Sequence, residues 1–277
     1  MEHMVTDRGN EPHTDFIYCC GAITEVLKYG PCQLHSGHKV LFLIIPDASL
    51  AVEGDVFGLN GQVEHKLAFL RKHVPRETSL VLVGHSIGCY IILEMMKRDP
   101  DLKVLKAIML FPTIERMAQS PQGKVMTPML CHMRYVAYLP VFLLSLLPDS
   151  LKSSLIKLVL SGIHYLDPTI VQPTVGLLSG DCAANAMYMG GQEMRKVLER
   201  DNTAIEKNLE KLIFYYGASD HWCPVQYYQD IKQDFPHGDI KLCKNGFRHA
   251  FVLDAGREVA EMVVEWIRGD MSFLFFF

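Results

Sequence analysis

The stretch Ser79-Leu80-Val81-Leu82-Val83-Gly84-His85-Ser86-Ile87-Gly88 decides how this chain is read. Its first half, SLVLV (79–83), is a short continuous apolar run, the pattern of a strand buried on both faces of a parallel sheet. GHSIG (84–88) follows at once. Tyr90, Ile91, Leu93, Met95 and Met96 then continue as an apolar helix that turns polar at Lys97-Arg98-Asp99 before Pro100. G-x-S-x-G arises often by chance, so the five letters carry little by themselves. Set between a strand and a helix, they describe a sharp turn that raises a serine hydroxyl above the carboxyl end of a sheet. Gly84 and Gly88 have no side chain, so the turn can be tight and the helix can lie close. Ser86 is therefore the candidate nucleophile, and the amide of Ile87 is the candidate first donor to an oxyanion.

Working outward, VLFLII (40–45) is a second buried-strand run, ended by Pro46. Leu59, Val63, Leu67, Leu70 and Val74 recur at helical spacing, with Pro75 as the stop. Further strands are expected at 104–111, at LIFYY (212–216) and at 240–243. A closing helix is expected from Val259, Met262, Val263, Trp266 and Ile267. Two short strands near the start, 16–20 and 22–29, flank Gly21 and close at Gly30-Pro31. Alternating strands and helices predict an α/β fold with a mostly parallel sheet flanked by helices. The elbow makes it an α/β-hydrolase fold, read as one domain over 1–277 with a helical insertion over about 112–206.

Serine is a weak nucleophile until a base takes its proton and an acid orients the base. In this fold the chain order is Ser, then Asp or Glu, then His, each beyond a strand's carboxyl end. LIFYY is followed by Gly217-Ala218-Ser219-Asp220, and IKLC (240–243) by a loop holding His249. Asp220 and His249 are thus the expected orienter and base. His85 and His221 each adjoin a proposed member, so they are expected to point elsewhere or to play a supporting part. His35, His65 and His164 are read as structural. Dehalogenase and epoxide hydrolase chemistry is disfavoured, because those reactions on this fold use a carboxylate where Ser86 stands.

Composition narrows the field. Apolar residues at 49% and charged residues at 21% suit a folded domain with a sizeable core. A formal charge of −4 gives no electrostatic reason to expect nucleic acid. The first fifteen residues are polar, so no secretory signal is expected. Eight scattered cysteines form no C-x-x-C pair, which predicts reduced thiols, no disulfide framework and no metal. Acyl transfer through serine needs no cofactor, and none is expected.

GLNGQVEHKLAFLR (58–71), VGHSIG (83–88), FPTIERM (111–117), GGQEM (190–194), YYGASDHWCP (215–224) and RHAF (248–251) together resemble the lipid droplet-associated hydrolase family. The resemblance runs from Phe57 to about Arg268. It implies a serine ester hydrolase of neutral lipids such as cholesterol esters, acting in cholesterol and triglyceride homeostasis. The implied location is the lipid droplet and endoplasmic reticulum, on the cytosolic side. It places the triad on Ser86, Asp220 and His249. The chain departs from the family after Pro46, where Asp47-Ala48-Ser49 replaces a glycine-bearing loop that helps form the oxyanion hole. Between Pro46 and Ser79 there is room for one helix where the fold has helix, strand and helix, so about fifty residues are missing. VLFLII should then become a free edge, or pair with the N-terminal hairpin. Loss of the second oxyanion donor should leave turnover badly impaired. The alternative is a non-catalytic protein that binds the droplet surface.

One segment bears on lipid. YVAYLPVFLLSLL (135–147) is apolar, interrupted by Pro140 and stopped by Pro148. As a helix it would rise about 20 Å, short of the roughly 30 Å hydrocarbon core, so no transmembrane span is expected. Leu151, Leu155, Leu158 and Val159 share a helical face that Lys152 and Lys157 do not. Composition leaves open whether this is a lid packed on the protein or a lipid-facing surface. The family resemblance implies a lid that also docks on droplets. The tail 272–277 looks foreign to the family and is too short to span a bilayer.

Overall fold

The continuous apolar runs become one parallel sheet. A computed structural model describes residues 12–19, 22–28, 40–45, 58–160 and 171–272. Strands β3 (Val40–Ile45), β4 (Ser79–His85), β5 (Val104–Leu110), β6 (Leu212–Gly217) and β7 (Asp239–Cys243) lie side by side in that order. Every neighbouring pair is parallel. Strand β6 is buried along its whole length, as expected of a strand covered on both faces. Helices α1 (Leu59–His73) and α2 (Ile87–Arg98) bury their apolar stripes in the same core. So do α9 (Val225–Asp234) and α10 (Gly256–Ser272), the latter setting Trp266 against Tyr215 with ring centroids 5.1 Å apart.

Among the described residues the sheet ends at β3. β1 (His13–Cys19) and β2 (Ala22–Lys28) pair antiparallel as a separate two-stranded sheet. The hairpin leans on α1 instead, through a 2.8 Å hydrogen bond between Thr24 Oγ1 and His65 Nε2. Of the two outcomes expected for VLFLII, the structure takes the free edge: among the described residues β3 has a ladder partner on one side, β4. Ile44 is 70% exposed there. The register sets Ile45 beside Gly84, so the chain leaves β3 next to the elbow. Residues 46–57, with the expected oxyanion loop, lie outside the described residues, as does the tail at 273–277.

Between β5 and β6 the described residues are helical: α3 (Pro121–Cys131), α4 (Arg134–Ser145), α5 (Asp149–Leu160), α6 (Val171–Leu177), α7 (Gly180–Lys196) and α8 (Asn202–Lys207). The two ends of this segment are tied together. Arg116 and Met117 donate their amides to Leu198 and Val197 at 2.8 and 3.1 Å. Arg200 reaches Glu115 at 2.8 Å and also bonds Asp234 of α9. Ser120 caps α3 by accepting from the Gly123 amide, with Pro121 at the first helical position.

One detail differs from the sequence reading. Pro140 does not interrupt α4, which runs through it from Arg134 to Ser145. Lys152 has a side chain only 12% exposed and bonds Asp149 at 3.3 Å. Helix α4 has no buried residue at all. Helix α5 buries Ile156 against Val171 and Val175 of α6, while Leu151, Leu155, Leu158 and Val159 are exposed. Among the described residues no single helix is long and apolar enough to cross a membrane. Arg134–Ser145 and Asp149–Val159 pass that test only as a pair, bent by 119°. Of the cysteines, 19, 89, 223 and 243 are buried and 131 and 182 half-buried, all with free thiols; 20 and 32 lie outside the described residues.

Candidate active site

The turn between β4 and α2 is strained. Ser86 has φ 55° and ψ −122°, a region that residues with a side chain rarely occupy. Neighbours hold it there. The Ser86 amide donates to Leu110 O at 3.0 Å, and Ser86 O accepts from the amides of Cys89 and Thr113 at 3.1 and 3.3 Å. Gly84 is required by this geometry: a Cβ there would stand 2.8 Å from Gly88 C and from Ile92 Cδ1. Ile87 opens α2, so its N–H has no acceptor within the helix, and the helix's positive end lies at the Ser86 turn.

The three predicted side chains meet above the carboxyl ends of the strands. Ser86 Oγ lies 2.9 Å from His249 Nε2, and His249 Nδ1 lies 2.7 Å from Asp220 Oδ2. Asp220 Oδ1 accepts the amides of Trp222 at 2.7 Å and Cys223 at 3.2 Å. Burial of Asp220 by itself would raise its pKa. The hydrogen bond and charge of His249, with the Cys223 thiol and the Trp222 amide, outweigh burial and hold the carboxyl below its ordinary value. Asp220 thus remains an anion, able to fix the imidazole with its proton on Nδ1 and its Nε2 lone pair toward Ser86.

Of four supporting residues, His85 takes the supporting part that the sequence left open, and Phe111, Thr113 and Cys223 were not identified from sequence. His85 points under the base: its Nε2 lies 2.8 Å from His249 O, and the two rings are 5.1 Å apart. Burial, then the neighbouring charge of His249, lowers its pKa to about 4. It stays neutral at ordinary pH and can donate to that carbonyl. Phe111, at φ 48°, packs edge-on to His249 and stacks on Phe251 at 5.3 Å. Gly217 makes room for it, since a Cβ there would meet Phe111 Cε1 at 2.8 Å. Thr113 Oγ1 lies 3.5 Å from Ser86 Oγ. Cys223 Sγ lies 3.0 Å from Asp220 Oδ2. Adjacency to Ser86 was the available signal for His85, and a place three residues past Asp220 the signal for Cys223, but neither says which way a side chain points.

Asp220, Cys223 and His249 offer ligand atoms within 4.8 Å of one another, a spacing that small metal sites share. Here the Nδ1 and Sγ donors are both engaged with one carboxylate oxygen. The donor set is explained by those hydrogen bonds.

A sequence model described as lipid-droplet associated hydrolase matches residues 31–252. The chain belongs to the lipid droplet-associated hydrolase family. Its relatives include the lipid droplet-associated hydrolase of Gallus gallus, 49% identical over 311 aligned residues that take in 94% of this chain and 96% of that one. The human protein of the same name is 46% identical over 315, with the same coverage. Both alignments are longer than the 277 residues present here, so positions in those relatives have no counterpart in this chain. An epoxide hydrolase from Vigna radiata shares the α/β-hydrolase fold at a TM-score of 0.62 and 14% identity, covering 94% of this chain and 99% of that one. The fold therefore houses more than one chemistry, and the side chains at the elbow must decide which.

Proposed function

We propose that this chain is a serine ester hydrolase of the lipid-droplet surface, acting on neutral lipids such as cholesterol esters. It works in cholesterol and triglyceride homeostasis, on the cytosolic side of droplets and endoplasmic reticulum. The observation that carries the chemistry is the unbroken relay from Ser86 Oγ through His249 to Asp220, at 2.9 and 2.7 Å. In that reading His249 takes the Ser86 proton as Oγ attacks the ester carbonyl. The tetrahedral oxyanion forms at the head of α2 near the Ile87 amide. Collapse expels the alcohol, which leaves with the proton from His249. Water, deprotonated by the same imidazole, then releases the fatty acid and restores Ser86. The relatives' name supports the lipid substrate, and the segment at 112–206 acts as a lid. Its exposed Tyr135, Val136, Leu139, Leu143, Leu158 and Val159 support lipid docking. A 12-residue α4 rises about 18 Å, enough to lie in an interface and short of a span.

The second reading is a droplet-surface binding protein with little turnover. It is favoured by the positions missing relative to the family, by the free β3 edge and by Pro46-Asp47-Ala48-Ser49 where the resemblance calls for glycines. Loss of one oxyanion donor lowers rates by about two to three orders of magnitude. A fluorophosphonate probe distinguishes the readings. Labelling of the folded chain that disappears in Ser86→Ala is expected. A folded chain that stays unlabelled over hours would leave only the binding protein.

A further inference from the structure

The acid of the relay has an unusual partner. Cys223 follows Asp220 by three residues in the turn beyond β6 and is completely buried. Its Sγ lies 3.0 Å from Asp220 Oδ2, the oxygen that also accepts from His249 Nδ1 at 2.7 Å. The other oxygen, Oδ1, is taken by the main-chain amides of Trp222 and Cys223. Each carboxylate oxygen thus receives two donors, and the thiol is the one donor that comes from neither the backbone nor the base. Burial, and then the charge of Asp220, push the thiol pKa well above its ordinary value, so sulfur keeps its hydrogen. A thiolate at this distance from a carboxylate would be strongly repelled.

The geometry points to Cys223 as a positioning residue of the Ser86 relay, its S–H holding Asp220 Oδ2 in line with the imidazole and limiting the basicity of the carboxylate. This rests on the serine-hydrolase reading of the same site and adds to it a residue three positions from the acid. Remove the thiol hydrogen and a buried lone pair on Oδ2 is left unsatisfied. The carboxylate then draws a proton more strongly, stabilises the imidazolium, and leaves less free base at a given pH. The titratable groups that face this cluster are His249 and His85 across the relay, Cys89 of α2, Tyr216 of β6 and Tyr227 of α9. Both tyrosines are pushed upward, chiefly by burial, and stay neutral through the range tested.

The test is the rate of fluorophosphonate labelling of Ser86 as a function of pH, in the full chain and in Cys223→Val, Cys223→Ala and Cys223→Ser. Valine keeps bulk without a donor, alanine removes both, and serine restores a donor. The valine and alanine variants should label about threefold more slowly at pH 6, with the acid limb of the profile moved up by about half a pH unit. Serine should return both toward the parent. Parent-like profiles in valine and alanine would overturn the proposal, as would a serine variant as impaired as valine. An unlabelled parent overturns the serine reading itself, an outcome distinct from labelling that ignores position 223. Thermal unfolding of each variant shows that the protein compared is folded, and any one folded donor-less variant suffices for the comparison.

Discussion

The Ser86 site and the α4–α5 pair are built on opposite principles. At the site Ser86 and Asp220 are buried, polar atoms are matched to partners at 2.7–3.2 Å, and a strained backbone is held by the β-sheet and α2. At α4 nothing is buried, apolar side chains face outward, and α5 rests on α6 through one small cluster around Ile156. A polar group removed from water must find its partners within the protein, so the site is intolerant of change. Exposed leucines make no such demand. They are stable in water only because the helices beneath are held by their neighbours, and they gain when an apolar phase replaces the water. In the proposed reading, one region is organised for a reaction and the other for a place to carry it out.

The contrast is broken most directly at the acid. Asp220→Asn keeps the shape but removes the charge that holds the imidazole tautomer. Turnover of a short nitrophenyl ester should fall by about 10⁴-fold with little change in the unfolding midpoint. A variant retaining a tenth of parental activity would show that the buried polar cluster is not the working part.

A smaller effect is expected at His85, as a dependence of stability on pH. Its folded pKa is about 4 against 6.5 for the free side chain. Between those values the unfolded chain binds a proton that the folded chain refuses. Stability is therefore fully present above pH 6.5 and is lost as the pH falls toward 4, by at most about 3 kcal/mol. His85→Phe should flatten that part of the profile in urea titrations at stepped pH. An unchanged acid slope would mean that other groups produce it.

The smallest stability effect belongs to the exposed apolar region of α4 and α5. Leu139→Ser, Leu143→Ser and Val159→Ser should each alter stability by less than about 0.5 kcal/mol, and the three are combined for the binding test. Flotation with triglyceride emulsions, read against the parent, should nevertheless drop several-fold. If flotation is unchanged while the protein loosens, these side chains are packing residues and the division between the two regions fails.

Local signals carried a good deal of this. SLVLV and LIFYY read as covered strands because they are short, rich in β-branched or aromatic residues, and end at a glycine, and both form strands of the sheet. Ser86, Asp220 and His249 were legible because each stands just past a strand, in the chain order that the elbow requires. The shortage between Pro46 and Ser79 was legible as a count of residues, and among the described residues β3 has a ladder partner on one side alone. Other features were closed to sequence. No local pattern tells that Cys223 turns inward to Asp220, that His85 braces the carbonyl of His249, or that α4 passes through Pro140 unbroken.

The sequence by itself thus determined the periodicities, and with them the strands, the elbow and the order of the candidate triad, since these depend on neighbours within a few residues. The tertiary structure alone decided the partners of buried polar atoms, the separation of the N-terminal hairpin from the sheet, and which apolar faces stay uncovered. Those outcomes depend on residues up to 164 positions apart, as with His85 and His249, brought together only when the sheet assembles.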